Sequence, residues 1–139
     1  MAGSTGKRRE MPLRVSDIMV RDVQTVGREE PLSEITRKMH EHRIGSVVVV
    51  DESGKPLGIV TERDIVYACA RGLSSTTPAW MIMTEDPITV KDTELVTEAI
   101  GKMREADVRH LPVVDSQGKL VGIVSFRDFM DLASILLSS

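Results

Sequence analysis

The fold of this chain is decided by a seven-residue stretch that occurs twice. Gly-Ile-Val-Thr-Glu-Arg-Asp at residues 58–64 returns as Gly-Ile-Val-Ser-Phe-Arg-Asp at residues 122–128, which is 64 positions later. In each copy a short apolar run, typical of a buried strand, leads into a hydroxyl residue and then, three positions on, an aspartate. The hydroxyl residue stands where a helix N-cap is expected, and the aspartate stands at the third helical position. The stretch therefore predicts a strand that passes directly into a helix.

The pairs Thr61/Asp64 and Ser125/Asp128 permit two interpretations of this turn. The first amides of a helix have no intrahelical acceptor, and the helix dipole favours negative charge there, so a phosphate fits the turn. An ionised aspartate beside it accepts hydrogen bonds from both hydroxyls of a ribose. The same spacing also forms a capping box, which satisfies the helix's own donors and is the commoner role of a single copy. Two copies in one register weaken the interpretation as a cap alone, and both interpretations stay open.

Composition excludes several classes of function. The 139 residues are 28% charged and 41% apolar with a net charge of −3, which gives no electrostatic reason to expect nucleic acid or an anionic membrane. Four aromatic residues are too few for a base-stacking platform. The lone Cys69 excludes an intrachain disulfide and favours a cytoplasmic location; its place on the apolar side of a predicted helix predicts that it packs in the core. No apolar run reaches the length of a membrane span.

The 64-residue offset runs through most of the chain without a gap. Residues 1–12 have no periodicity and predict a flexible tail, followed by a first repeat at residues 13–75 and a second at residues 76–139. Each repeat predicts the order β-α-β-β-α, which makes the fold class α+β (α/β). A unit of about 60 residues buries too little surface to be stable alone. The two repeats are therefore expected to pack on each other about a pseudo-two-fold axis.

Within the repeats, hydrophobic patterning gives the elements. A helix is predicted over residues 13–22 and another on the face Leu32, Ile35 and Met39. Pro112 indicates that its strand is an edge strand or that the strand starts there. The predicted strands cover residues 24–26, 46–50 and 57–60 in the first repeat and residues 88–90, 111–114 and 120–124 in the second.

This doubled pattern resembles the CBS domain, the tandem module named after cystathionine β-synthase. The resemblance covers residues 13–136 and rests on the short Thr-Val strand, the amphipathic helix, the apolar hairpin and the Gly-Ile-Val-Thr/Ser-x-x-Asp turn, all twice. It implies a stand-alone CBS pair with two clefts between its repeats, which dimerises into a flat disc. It also implies a non-catalytic regulatory module that binds AMP, ADP or ATP, or else S-adenosylmethionine or NAD, and signals to an unidentified regulated protein.

Carried over residue by residue, the resemblance implies two clefts. In the first cleft, Thr61 would hold phosphate and Asp64 the ribose, with Arg63 beside the aspartate. From the other repeat, Arg109 and His110 would reach the phosphates, and the backbone at Thr89 and Val90 would meet the adenine edge.

In the second cleft, Ser125 and Asp128 would take the same roles. Arg63 and Arg127, each beside its aspartate, could lean across into the neighbouring cleft. The backbone at Thr25 and Val26 would meet the base, and Gly45 and Ser46 would stand where Arg109 and His110 stand in the first cleft. Arg109 brings a fixed charge and a planar fork, whereas Gly45 and Ser46 bring no charge. The first cleft is therefore expected to take a di- or triphosphate, and the second a less charged ligand.

Other chemistry finds little support. His40 and His42 are two positions apart and face different sides of a helix, so no metal site is expected. No nucleophile with an adjacent base is visible, so no enzyme is expected. The rival hypothesis is a structural interaction module whose clefts stay empty, with apolar surface near the chain end for a homodimer or partner. Nucleic-acid binding through Lys7-Arg8-Arg9 is the weakest hypothesis, because little else in the chain is basic.

Overall fold

The computed structural model of the protein describes residues 13–138, so the predicted tail at residues 1–12 lies outside the described residues. In chain order the first part comprises α1 (Val15–Ile18), β1 (Thr25–Val26), α2 (Leu32–His42), β2 (Ser46–Val50), β3 (Pro56–Thr61) and α3 (Glu62–Ala70). The second part comprises a 3₁₀ turn (Ala79–Met81), β4 (Thr84–Glu85), β5 (Val90–Lys91), α4 (Val96–Ala106), β6 (His110–Val114), β7 (Leu120–Ser125) and α5 (Phe126–Ser138). The predicted mixed fold of two β-α-β-β-α units is confirmed.

Two small sheets carry the repeats. In the first sheet, β1 runs parallel to β2, and β3 lies antiparallel to both β2 and β4. In the second sheet, β5 runs parallel to β6 and β7 lies antiparallel to β6. The bridge between Val20 and Ile123 takes the place that the pairing of Thr84 with Ile59 takes in the first sheet. Both sheets thus have the same register, as a pseudo-two-fold relation requires.

The segment that leads into each repeat packs on the sheet of the other repeat. We call residues 14–20 and 78–84 the leading segments. Val15 and Met19 belong to the core around Leu111 and Val124, whereas Ala79 and Ile82 belong to the other core, around Ile35, Val47 and Val60. Each core therefore contains residues from both sides of the predicted boundary between residues 75 and 76. That boundary describes the repeat in the sequence and stays a prediction.

A glycine in each sheet makes this exchange possible. A Cβ on Gly122 would stand 2.6 Å from the Met19 Sδ atom, and a Cβ on Gly58 would meet the Met83 Sδ atom still more closely. Each methionine lies across a strand that has no side chain at that point, so the exchanged segment reaches the sheet backbone. The glycine that opens each copy of the repeated stretch is thus explained by close packing.

Three details differ from the sequence prediction. The first helix spans only Val15–Ile18, because the chain turns to extended backbone at Met19 to cross to the second sheet. β6 lies in the middle of its sheet, and Pro112 is buried there. Proline has no N–H to donate, but the neighbouring strand β5 is short and pairs only with Val113 and Val114. Cys69 is exposed, since Ala68 takes the buried position of α3. No helix among the described residues is long and apolar enough to cross a membrane.

Candidate functional site

Both repeated turns are built as the sequence predicts, and in both the aspartate binds its own helix start. The backbone amide of Thr61 donates to Asp64 Oδ2 at 2.8 Å, and that of Ser125 donates to Asp128 Oδ2 at 2.7 Å. The hydroxyls of Thr61 and Ser125 donate to the same oxygens at 3.3 and 3.1 Å. The capping role is therefore real, but it uses one carboxylate oxygen of each aspartate.

A cavity of about 620 Å³ lies between the repeats at the turn that starts α5. The half-buried Ser125 and Asp128 form one wall together with Arg127, and Gly45 and Ser46 at the start of β2 face them. The remaining lining residues are Val20, Asp22, Val23, Gln24, Met39, His40, Arg43, Ile44, Glu62, Arg109, His110, Ile123 and Phe126. This volume is in the range of small-molecule sites.

The cavity collects seven of the fourteen site residues expected from the sequence. Gly45, Ser46, Ser125 and Asp128 line it as the second cleft implies, and Arg127 lines this cavity beside its own aspartate. Arg109 and His110 also line it, although the sequence comparison assigned them to the first cleft. Because Gly45 has no side chain, residues of both repeats fill the space beside it: a Cβ there would stand 3.1 Å from Glu62 Oε1 of the same repeat and 3.2 Å from His110 Nε2 of the other.

The residues expected to meet the base lie elsewhere. Val26 and Val90 are buried in the two cores, and the backbone carbonyl oxygens of Thr25 and Thr89 accept hydrogen bonds from the amino groups of Lys38 and Lys102. Thr89 also lines a separate surface depression. The residues just before β1 line the cavity instead. The sequence prediction did not include this segment of Asp22, Val23 and Gln24 in the site. The sequence feature that could have indicated it is its position between the leading segment and β1.

The other turn is arranged differently. Thr61, Arg63 and Asp64 do not line the cavity. The second carboxylate oxygen of Asp64 accepts a long hydrogen bond of 3.4 Å from the hydroxyl of Thr84. Val20 occupies the matching position in the other repeat and has no hydroxyl, so Asp128 Oδ1 accepts no hydrogen bond from residues 13–138 and remains open to a ligand.

The charges around the cavity are mixed. Arg109 places its guanidinium over the ring of Phe126, 5.5 Å from the ring centroid. Burial lowers the pKa of His110; Glu62 and Asp128 oppose this shift, and Arg109 adds to it. Since the usual histidine pKa is about 6.5, His110 is neutral at pH 7 and the fixed positive charge comes from the arginines.

The amides at the start of α5 complete the site. The Phe126 amide donates to the carbonyl oxygen of Arg109 at 2.8 Å, which ties the start of the helix to β6. The next two amides, of Arg127 and Asp128, have no intrahelical acceptor at this position. These two amides can donate to an anion, and the free oxygen of Asp128 in the same helical turn can accept hydrogen bonds from hydroxyl groups.

Comparison with known families identifies the class. The family model of the CBS domain matches residues 15–71 and 80–134, which is most of the chain. The chain therefore belongs to the CBS domain family and carries two copies of that domain. The resemblance inferred from the repeated stretch is confirmed.

Individual relatives agree with this assignment. MK0525, an uncharacterized protein of Methanopyrus kandleri, is 40% identical over 127 residues; the match covers 90% of this chain and 65% of that protein. The CBS domain pair of protein MJ0100, solved with 5′-methylthioadenosine and S-adenosylmethionine, is similar with a TM-score of 0.83 and 31% identity over 89% of this chain and 98% of that one. PAE2072 of Pyrobaculum aerophilum, solved with AMP, has a TM-score of 0.83 and 34% identity over 91% of this chain and 97% of that one.

Proposed function

We propose that this CBS pair is a non-catalytic regulatory module that binds an adenine nucleotide in the cavity beside Ser125 and Asp128. The observation that carries the proposal is the uncommitted carboxylate oxygen of Asp128 at the start of α5, inside a cavity of about 620 Å³. A ribose needs an acceptor for its hydroxyls, and a phosphate needs amides and a cation. This turn offers the acceptor and the amides, and arginines line the same cavity.

In the proposed complex each part of the nucleotide meets a matching wall. Asp128 Oδ1 accepts the ribose hydroxyls, and the amides of Arg127 and Asp128 receive the phosphate. The base lies against the apolar wall of Val23, Ile44 and Ile123, next to the backbone before β1. An apolar wall with polar backbone next to it suits a purine, which has an apolar planar face and donors and acceptors at its rim.

A nucleotide with one phosphate is favoured over one with three. The arginines of the cavity, Arg43, Arg109 and Arg127, are opposed by the carboxylates of Asp22, Glu62 and Asp128. A second and third phosphate would add negative charge without a matching cation. We therefore propose AMP before ADP and ATP. S-adenosylmethionine, which carries a positive sulfonium and no phosphate, is the alternative that the neighbour MJ0100 supports.

A thermal-shift series tests the proposal. The protein is heated with AMP, ADP, ATP, S-adenosylmethionine, NAD and, as a control for the base, guanosine monophosphate. A ligand at 100 times its dissociation constant stabilises the folded state by about 2.7 kcal/mol. We expect the largest rise in melting temperature with AMP and a much smaller rise with guanosine monophosphate. Equal small shifts with all six compounds would contradict nucleotide binding.

The chain also exposes apolar surface, which favours an additional role in self-association. Val66 on α3 and Met130 on α5 occupy matching positions of the two repeats and are 68% and 54% exposed; Ile135 is 66% exposed. We propose that these two helices pair with those of a second copy, and that the regulated protein reads this assembly. Sedimentation velocity should show a dimer for the parent chain and a monomer for Val66→Glu/Met130→Glu. A monomeric parent at high micromolar concentration would contradict the dimer.

A further inference from the structure

Arg109 and its counterpart in the first repeat, Gly45, both line the cavity of Ser125 and Asp128. The carbonyl oxygen of Arg109 accepts a hydrogen bond from the Phe126 amide at 2.8 Å, which places the two residues side by side. A second contact, made by the Arg109 side chain, fixes where its guanidinium lies.

That contact is the ring of Phe126. The guanidinium of Arg109 lies 5.5 Å from the ring centroid, within the distance at which a cation is attracted to an aromatic face. The repeat symmetry makes the pairing one-sided, because Glu62 stands in the first repeat where Phe126 stands in the second. Phe126 is also 46% exposed, so burial in the core does not explain an aromatic residue at this position.

The contact leaves the hydrogen-bonding capacity of the arginine unused. Within residues 13–138 the Arg109 side chain makes no hydrogen bond or ion pair with a protein group. A contact with an aromatic ring does not consume the N–H donors of a guanidinium, so they remain for an anion. Phe126 directly precedes Arg127 and Asp128, so the contact brings Arg109 to the helix start whose amides would receive a phosphate.

We propose that Phe126 is a positioning residue that holds Arg109 in the cavity of Ser125 and Asp128, and that this pair makes the site select phosphorylated adenosine over adenosine. The inference rests on the proposed function. It goes further in naming the residue that holds the Arg109 guanidinium in this cleft. The cleft of Thr61 and Asp64 then lacks its expected cation.

The test compares AMP and adenosine by calorimetric titration of the full chain and two variants. Phe126→Leu keeps the apolar bulk and removes the ring, whereas Phe126→Tyr keeps the ring. A cation–π contact at an exposed site corresponds to about a two- to fivefold change in affinity. We expect Phe126→Leu to weaken AMP by that factor and to leave adenosine unchanged, and Phe126→Tyr to keep the parent ratio.

The matched control is Trp80→Ala. Trp80 is 44% exposed and lies under Arg28 at 5.8 Å, so it is a comparable arginine–aromatic pair outside the cavity lining. We expect it to leave the ratio of AMP to adenosine affinity unchanged. An unchanged ratio in Phe126→Leu, an equal loss for both ligands, or a loss in Phe126→Tyr as large as in Phe126→Leu would overturn the proposal.

Failure of the proposed function is distinguishable. If the parent chain binds neither AMP nor adenosine, the proposed nucleotide binding is refuted. The contact between Arg109 and Phe126 is then tested by NMR on the protein without ligand. The ring current of Phe126 should shift the Arg109 side-chain proton resonances upfield, and Phe126→Leu should abolish that shift while Phe126→Tyr keeps it. Identical chemical shifts of the Arg109 side-chain protons in the parent and in Phe126→Leu would refute the proposal that Phe126 holds Arg109.

Discussion

The two repeats share a backbone and differ in the site that this backbone offers. At the turn of Ser125, the aspartate keeps one oxygen free in a cavity that also contains an arginine. At the turn of Thr61, the second oxygen of Asp64 already accepts a hydrogen bond from Thr84. Both turns carry the same hydroxyl-and-aspartate motif, so the motif does not distinguish the two sites.

The difference comes from neighbouring residues that the two repeats do not share. Val20 matches Thr84, and Gly45 matches Arg109. A third pair acts on the backbone before each short strand: the amide of Val48 donates to the carbonyl oxygen of Gln24 at 3.2 Å, and its match Pro112 has no N–H to donate to Ile88. The backbone before β1 is thus held by a hydrogen bond to β2, whereas the backbone before β5 lacks the matching bond to β6.

The largest expected effect separates the two aspartates. Asp128→Ala should weaken AMP binding by about 1.5–3 kcal/mol, roughly 10- to 150-fold, as expected for a hydrogen bond to a charged group. Asp64→Ala is the matched control, because it removes the same helix cap at a similar cost of about 0.5–2 kcal/mol in stability. Calorimetry should therefore show binding lost only in the first variant. Equal losses of affinity in both variants would remove the distinction between the clefts.

The glycines test what the two repeats have in common. Alanine at Gly122 or Gly58 would press on the methionine and the backbone carbonyl of the opposite leading segment, the carbonyls lying 3.0 and 2.9 Å away. Each substitution should cost about 1–3 kcal/mol of unfolding free energy, as overpacking does. Gly101 on α4 has open space at its Cβ, so Gly101→Ala should stabilise the chain by about 0.5–1 kcal/mol. Urea denaturation measures all three; harmless substitutions at Gly58 and Gly122 would refute the exchanged packing.

A smaller effect on AMP affinity is expected from exchanging Val20 and Thr84, the matching residues of the two repeats near Asp128 and Asp64. Val20→Thr places at the cavity the hydroxyl that Thr84 offers to Asp64. If that hydroxyl occupies Asp128, AMP affinity should fall by about 0.5–1.5 kcal/mol, roughly 2- to 12-fold. Thr84→Val is the control and should leave the affinity unchanged. The opposite ranking in a titration would place the nucleotide at Asp64.

The last prediction concerns pH and has the smallest effect. Because burial lowers the pKa of His110 in the folded state, the unfolded chain binds the proton more readily. The stability that this histidine contributes is present above the ordinary pKa of about 6.5 and is lost as pH falls below it. The unfolding free energy of the parent should therefore fall relative to His110→Asn as the pH is lowered below about 6.5.

The matched control for that experiment is His42→Asn. His42 is exposed on α2 and does not line the cavity. The parent and both variants are compared by urea denaturation over the same buffer series. A parallel decrease in the parent and His110→Asn would show that the buried histidine does not cause it.

The sequence predicts the repeated framework well because it is encoded locally. The strands around Val49 and Val113 follow from apolar runs bounded by turn residues, and the turn at Asp64 follows from the spacing of a helix start. The length of α1, the central position of Pro112 and the exposure of Cys69 depend on how distant segments pack. Local patterns do not contain that information.

The site was predicted in part for the same reason. The turn at Ser125 and Asp128 is local, and its partners Gly45 and Ser46 follow from the repeat symmetry. The resemblance assigns Arg109 to the cleft of Thr61, whereas Arg109 lines the cavity of Ser125 and contacts the amide and the ring of Phe126. A pattern that treats the repeats as equal does not contain the ring contact, because Glu62 stands in the first repeat where Phe126 stands in the second.

The central claim is that an adenine nucleotide binds at the turn of Ser125 and Asp128 and not at the turn of Thr61 and Asp64. Backbone amide resonances recorded during a titration with AMP test it most directly. We predict that the amides of residues 45–46 and 125–128 shift together and saturate at one AMP per chain. Shifts confined to residues 61–64 and 86–88, with residues 125–128 unchanged, would contradict it.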